Sequence, residues 1–167
     1  MNIKRVLAVA VVGGVAMLGF PGTAMASTVD QDFSVINLDG EPGTVVATGS
    51  LIYGAGVEQN TRALVRPGSP FQVTFTFAEG QLIHTVVPGR PQIDTDPVSC
   101  VTRIVSHPTT FVTGGTGVFA GATGTGTATT RRTVVAGRDA TGACLPPTAP
   151  PILALGIIES TMTLTLL

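Results

Sequence analysis

The chain has 167 residues, of which 44% are hydrophobic, and nine Lys and Arg residues stand against ten Asp and Glu residues for a formal net charge of −1. The length suits a single domain with its own core. The charge argues against binding to nucleic acid or to an anionic membrane surface, because only Arg131 and Arg132 form a basic pair after residue 26.

The first 26 residues have the pattern of a secretory signal. Lys4 and Arg5 precede an apolar run, residues 6–20, and then Ala24-Met25-Ala26. A basic start, a short apolar core and a small-residue cleavage site are typical of exported proteins, whereas a membrane-spanning helix needs about 20 apolar residues. We therefore expect cleavage after Ala26 and a secreted single domain, residues 27–167, that is not embedded in a membrane.

Period-two alternation dominates the rest of the chain, which is rich in Val, Thr, Ile and Phe. This pattern is typical of half-buried β-strands. In chain order, the predicted strands are 33–38, 44–53, 57–65, 71–77, 82–87, 98–106, 109–113, 125–135 and 157–166. The clearest is 71–77, whose four apolar side chains share one face and which a turn at Glu79-Gly80 joins to the next strand as a β-hairpin.

These strands predict an all-β fold. Short connections without crossover helices imply an antiparallel sheet, and we expect it to close into an eight-stranded β-barrel because closure removes exposed edges. A two-sheet sandwich is the alternative. The Pro-rich segments 87–97 and 145–151 are expected to be ordered surface loops.

Cys100 and Cys144 are the two cysteines of the chain. An exported protein meets an oxidising compartment, so we predict one disulfide between them. A metal site or a nucleophilic cysteine is the weaker interpretation, because two isolated cysteines lack the spacing of zinc ligands.

A glycine-rich stretch, "TGGTGVFAGATGTGTATT" at residues 113–130, raises a choice between phosphate binding and a turn. A Walker-type loop needs a lysine after its last glycine, and no lysine follows residue 26. A dinucleotide site needs a helix next, which the Thr- and Gly-rich residues downstream disfavour. We therefore predict a tight reversal over Val118 and Phe119, followed by a bulge. The structural glycines of this turn are Gly114, Gly115, Gly117, Gly121 and Gly124.

The segment "GGTGVFAGATGTG", residues 114–126, resembles a glycine-rich motif of the allene oxide cyclase and dirigent barrel superfamily. The resemblance implies an eight-stranded antiparallel barrel, often trimeric, with an apolar lumen. In characterised relatives the lumen steers cyclisation or coupling of a reactive hydrophobic intermediate without a metal or organic cofactor. The matched positions are turn glycines, so the resemblance transfers no catalytic residue.

Lone polar side chains on the strand patterns are the candidate catalytic residues: Tyr53, His84, Arg103 and Glu159. For each we favour a solvent-facing position on the outer wall. The alternative is that one or two point into the lumen, where burial would raise a carboxyl pKa or an arginine would stabilise a developing anion. Metal binding is disfavoured, because the two histidines are far apart and Asp94-Thr95-Asp96 precedes a proline.

The favoured function is therefore a secreted barrel that binds a small hydrophobic molecule and acts on it as a cofactor-free cyclase or isomerase. A carrier without turnover and a structural or interaction protein of the cell exterior are the alternatives. A lumen of roughly 300 Å³ or more would favour a ligand, whereas one filled by Phe71, Phe75 and their neighbours would favour a structural role.

Overall fold

A computed structural model describes residues 26–38 and 42–166. The predicted signal segment lies, up to residue 25, outside the described residues. The described chain forms ten strands and two single-turn 3₁₀ helices, Arg62–Leu64 and Gly117–Phe119. The strands are β1 (Ser27–Leu38), β2 (Gly43–Gly49), β3 (Gly54–Asn60), β4 (Phe71–Phe77), β5 (Gly80–Val87), β6 (Gln92–Asp96), β7 (Val101–Ser106), β8 (Thr109–Gly115), β9 (Thr123–Val135) and β10 (Leu153–Leu166).

Eight of these strands close into an antiparallel barrel, in the order β1-β2-β3-β4-β5-β8-β9-β10. The ring is sealed where β10 pairs with β9 on one side and with β1 on the other, from Ser27 opposite Leu166 to Leu38 opposite Leu155. The predicted barrel is confirmed. A barrel of eight strands has an interior just wide enough to be filled by side chains or to hold one small ligand.

The remaining two strands, β6 and β7, form a hairpin that extends the wall at one end. β8 pairs with the first part of β9, up to Thr109 opposite Thr127, and β7 pairs with the second part, from Ser106 opposite Thr130 onward. The expectation of a loop over 87–97 is thus wrong at β6. Most of β6 is exposed, so the strand forms because it pairs with β7 and not because one of its faces is buried. Its sequence therefore has no alternation of apolar residues from which a strand could be predicted.

Several predicted strand ends also differ from the structure. The strand expected over 57–65 stops at Asn60, because the chain turns into the 3₁₀ helix. The strand expected over 44–53 stops at Gly49, where the chain crosses the end of the barrel. There the Gln31 amide donates to the Ile52 carbonyl (3.0 Å) and accepts from the Leu51 and Ile52 amides (3.2 and 3.3 Å).

Apolar side chains fill this end of the barrel, here called the base. Phe33 and Phe75 pack with 5.1 Å between ring centroids, and Phe77 lies 6.2 Å from Phe119. Phe119 sits on the 3₁₀ helix that follows β8 and is fully buried. The other buried members of the base include Leu82, Ala122, Met162 and Leu164.

The glycine-rich stretch turns the chain from β8 into β9, as predicted, and residues 123–135 form a strand rather than a helix. Gly117 has φ of 60°, and a Cβ placed there would lie 2.0 Å from the Glu79 carbonyl oxygen. Glycine is therefore needed where this turn packs on the β4–β5 hairpin. Two details differ from expectation: Val118 is 42% exposed rather than tucked under the turn, and the register shift lies between β5 and β8, next to His84.

The predicted disulfide between Cys100 and Cys144 is confirmed, with 5.5 Å between the two Cα atoms. It joins the residue just before β7 to the long loop between β9 and β10. Arg138 supports the same junction, because its guanidinium donates to the Gly142 carbonyl at 2.7 Å and to the Val98 carbonyl. The β6–β7 extension is thereby fastened to the barrel.

Candidate functional site: a cavity above the filled base

The barrel encloses a cavity of about 480 Å³ between its base and its opposite end, here called the mouth. This volume exceeds the roughly 300 Å³ that a small-molecule site requires. Phe71 and Phe75 line the cavity without filling it. The apolar wall also includes Val35, Val73, Val86, Ile158 and Met162.

Glu58 brings a carboxylate into this wall with 3% of its surface exposed. The Asn60 amide donates to the Glu58 carboxylate at 2.7 Å, and the Asn60 side-chain oxygen accepts from the Arg62 backbone amide at 3.2 Å. Gly43 on the neighbouring strand leaves room for the carboxylate, since a Cβ there would lie 2.8 Å from Glu58 Oε2. The Glu58 carboxylate is therefore held in place at the cavity.

His84 and Thr110 also line the cavity, and each is 2% exposed. Neither His84 Nδ1 nor Thr110 Oγ1 has a hydrogen-bond partner in the protein. Burial lowers the pKa of His84 to about 4, so the imidazole is neutral at pH 7. Unpartnered buried polar atoms are rare in folded proteins and call for an explanation.

The mouth carries positive charge. Three exposed arginines, Arg62, Arg66 and Arg132, border the cavity there. The Arg62 guanidinium lies 5.9 Å from the centre of the Phe71 ring, within reach of a cation–π contact. The cavity thus combines a basic rim, apolar walls and isolated polar groups inside.

The four candidate catalytic residues do not form one cluster. Tyr53 is 82% exposed in the loop that crosses the base, and Arg103 is exposed on β7. Glu159 faces outward and pairs with Arg131 at 2.6 Å, with both side chains more than half exposed, a kind of ion pair that contributes about 0–1 kcal/mol. His84 is the exception, and an outer-wall position for it is wrong.

The reason lies in the register of the β4–β5 hairpin. His84 is opposite Val73, whose side chain points inward, and directly opposed residues of antiparallel strands share a face of the sheet. His84 therefore belongs to the same interior face as Phe75 and Phe77.

Residues that sequence reasoning missed complete the site: Glu58, Asn60, Thr110 and Ser160. β3 has an inverted pattern, with Gly56 and Glu58 facing inward and Val57 46% exposed. The inward direction of Glu58 could have been inferred from the pairing of β3 with β4, because Glu58 lies opposite Phe75 and opposed side chains share a face of the sheet.

A second, open groove of about 450 Å³ lies on the outer wall over β9, β10 and β1. Several of its polar groups bond one another, as in the hydrogen bond from Thr161 to Asp32 (2.6 Å) and the contact between Thr129 Oγ1 and His107 Nδ1 (3.4 Å). Being shallow and internally satisfied, this groove is the weaker candidate for a ligand site.

Within residues 26–38 and 42–166, no three His, Cys, Asp or Glu side chains are grouped so as to hold a metal ion. The same part of the chain contains no helix with the length and apolar character to cross a membrane.

Together these features define a closed antiparallel β-barrel with a filled base and a mainly apolar cavity that opens at the mouth. No protein-family model, curated protein or solved structure matches the chain. The cavity and its side chains are therefore the grounds on which a function is inferred.

Proposed function

We propose that the chain is a secreted barrel that binds a small, largely hydrophobic molecule in its cavity and acts on it as a cofactor-free cyclase or isomerase. The observation that carries the proposal is the enclosed cavity of about 480 Å³, with buried polar atoms that no protein group satisfies. The disulfide is compatible with an extracellular protein.

A barrel with only a structural role would gain stability by filling its interior, because empty space forfeits dispersion contacts. Here the base is densely packed and the space above it is not. Ala128 and Ser160, two small residues opposite each other on β9 and β10, face this space. Their small size preserves room for a ligand.

The resemblance of residues 114–126 to allene oxide cyclase and dirigent barrels suggests the reaction class. A flexible polyene or epoxide held in one folded conformer would cyclise faster, because conformational freedom is lost before the chemical step. Glu58 is the group that we propose to act on the reacting molecule, as a proton acceptor or as a negative charge beside a developing cation. Its hydrogen bond from Asn60 fixes its direction.

Ligand binding is tested with a neutral fluorescent reporter, N-phenyl-1-naphthylamine, added to the mature protein. Ala128→Phe places a ring in the cavity and should abolish the fluorescence rise, whereas Thr127→Phe, one position away on the outer face of β9, should not. Equal reporter binding by both variants, with both folded by circular dichroism, would refute a binding site in the lumen.

Turnover is tested by adding the protein to unstable epoxides and polyenes and comparing the stereochemistry of the products with that in buffer. We expect Glu58→Gln to lose the effect while retaining reporter binding. If the wild-type protein binds the reporter and leaves every product distribution unchanged, the carrier without turnover replaces the enzyme.

The predicted self-association, a trimer by the resemblance, also becomes a proposal. The outer wall near the mouth exposes neighbouring apolar side chains on β10, β1, β2 and β3: Ile157, Ile36, Val46 and Val57. Sedimentation of the mature protein should show an oligomer that Ile36→Glu dissociates. A monomeric wild type would overturn this part of the proposal.

A further inference from the structure

We infer that the ligand of this cavity carries a neutral oxygen function, an alcohol or a ketone, at its buried end, where His84 and Thr110 hydrogen-bond to it. This inference rests on the proposed binding function and goes further by naming the chemical class of the ligand and its orientation.

The two groups without a hydrogen-bond partner face the same region of the cavity. Thr110 lies opposite Val86 across the β5–β8 pair, and His84 lies opposite Val112, one inward-facing pair further from the mouth. Inward side chains in such a diagonal relation come from backbone positions about 7–8 Å apart. A ligand that reaches one group therefore passes close to the other.

These two groups are also buried without a hydrogen-bond partner. His84 Nδ1 and Thr110 Oγ1 are buried from bulk solvent and have no protein partner. In contrast, the side-chain amide of Gln31, also buried at the base, hydrogen-bonds to four backbone groups. The fold can thus satisfy an interior polar side chain, and at His84 and Thr110 it leaves hydrogen-bonding capacity for a bound molecule.

The charges that line the cavity also favour a neutral ligand group at its buried end. A ligand carboxylate beside His84 would find no cation at neutral pH, because the imidazole is uncharged and lies against Phe75. The cationic side chains that border the cavity are those of Arg62, Arg66 and Arg132, and all three are exposed at the mouth. A hydroxyl or carbonyl oxygen meets the needs of the buried pair, since the Thr110 hydroxyl can donate or accept.

The test uses three molecules with one carbon skeleton: limonene, a hydrocarbon; carvone, the ketone; and carveol, the alcohol. Each competes with N-phenyl-1-naphthylamine for the wild-type protein at pH 7. One recovered hydrogen bond is expected to make carvone or carveol displace the reporter at about tenfold lower concentration than limonene.

Thr110→Val removes the hydroxyl and preserves the shape, and Thr109→Val is its matched control on the outer face of the same strand. We expect Thr110→Val to reduce severalfold the preference for the oxygenated competitors over limonene, measured as the ratio of the concentrations that displace the reporter, and Thr109→Val to keep the wild-type preference. His84→Leu gives a second, independent removal of a partner, should the first variant not fold.

Failure of this inference is distinguishable from failure of the proposed function. If Ala128→Phe abolishes reporter binding but the three competitors act equally on the wild type, the lumen binds ligands and the neutral-oxygen inference falls. A tenfold preference that survives both Thr110→Val and His84→Leu also overturns the inference. If Ala128→Phe leaves reporter binding intact, the proposed function itself fails.

Discussion

The imidazole of His84 meets the ring of Phe75 edge to face, with 4.8 Å between the ring centroids and 63° between the ring planes. This contact places a titratable side chain among hydrocarbon groups in the barrel interior. Desolvation makes the charged imidazole unfavourable there, which lowers the pKa of His84 to about 4. The buried histidine therefore couples the stability of the barrel to pH.

The first prediction concerns that coupling. Between pH 6.5, the ordinary pKa of histidine, and about 4, the unfolded chain binds a proton at His84 that the folded chain does not. The free energy of unfolding should therefore fall as the pH falls through this window, by up to roughly 3 kcal/mol. Urea denaturation of the wild type and of His84→Leu, measured at pH 7, 5.5 and 4, should show that the variant loses most of this slope.

The exposed His107 supplies the control for the pH experiment, because His107→Gln should keep the slope. Hydrogen bonds lower the pKa of Asp96 and of Asp139, chiefly those from Ser99 and Thr141, respectively. Their stabilising effect is lost only below the ordinary carboxyl pKa of about 3.8, as the pH falls through the folded-state values, so it lies outside the window of His84. A slope that persists in His84→Leu would contradict the assignment.

The second prediction concerns the packing of Phe119 in the base. Phe119 has no exposed surface and contacts the Phe77 ring, so Phe119→Ala should lower the free energy of unfolding by about 3–5 kcal/mol through loss of burial and creation of a cavity. Val118→Ala, at the adjacent exposed position, should change it by about 0.5 kcal/mol or less. Thermal or urea unfolding of the two variants makes the comparison, and equal effects would show that the base is not packed as described.

The third prediction separates two reasons why replacing a glycine destabilises the fold: a backbone conformation that favours glycine, and a clash between the added Cβ and a neighbouring atom. Gly117 and Gly142 have φ of 60° and 86°, but only at Gly117 would a Cβ meet another atom, the Glu79 carbonyl oxygen at 2.0 Å. Gly142→Ala should cost about 1–2 kcal/mol from the left-handed conformation alone, and Gly117→Ala should cost more. Gly54→Ala, with open space and no such φ, is the control, and melting temperatures in the reverse order would contradict the geometry of the turn.

The fourth prediction concerns the disulfide, which links positions 44 residues apart. Replacing Cys100 and Cys144 by Ser should lower the free energy of unfolding by about 4 kcal/mol according to the chain-entropy model. If the protein is exported as proposed, mass spectrometry of the secreted form should find Ser27 as its first residue and a mass two hydrogens below that of the reduced chain. Free thiols in that sample, or an unchanged urea midpoint in the double variant, would contradict the prediction.

Much of the fold was predictable because strand periodicity and turn chemistry are local properties. The β4–β5 hairpin shows both the reach and the limit of this information. Its alternation fixed the inward face of β4, and a two-residue turn at Ala78 and Glu79, one position earlier than predicted, sets the register that places His84 opposite Val73. The lumenal position of His84 was therefore implicit in the pairing of the two strands, although His84 considered alone carries no sign of it.

Other features depend on pairing between distant segments. Glu58 points inward because β3 pairs with β4, although β3 itself exposes Val57 and turns Gly56 inward. β6 is a strand because β7 lies beside it. The chemical character of the cavity arises from eight strands and three loops that meet only in the folded barrel, so no single motif could reveal it.

The packed base also bears on how a bound molecule would be exchanged. Phe119 fills the base and Gln31 anchors the loop beside it, so that within the described residues the cavity opens toward the mouth. A molecule that binds in the cavity as proposed would enter and leave past the three arginines of the mouth, so the end that enters first would leave last, and a product bulkier than the opening would stay inside. Passage through the mouth would then limit the rate at which one bound molecule replaces another.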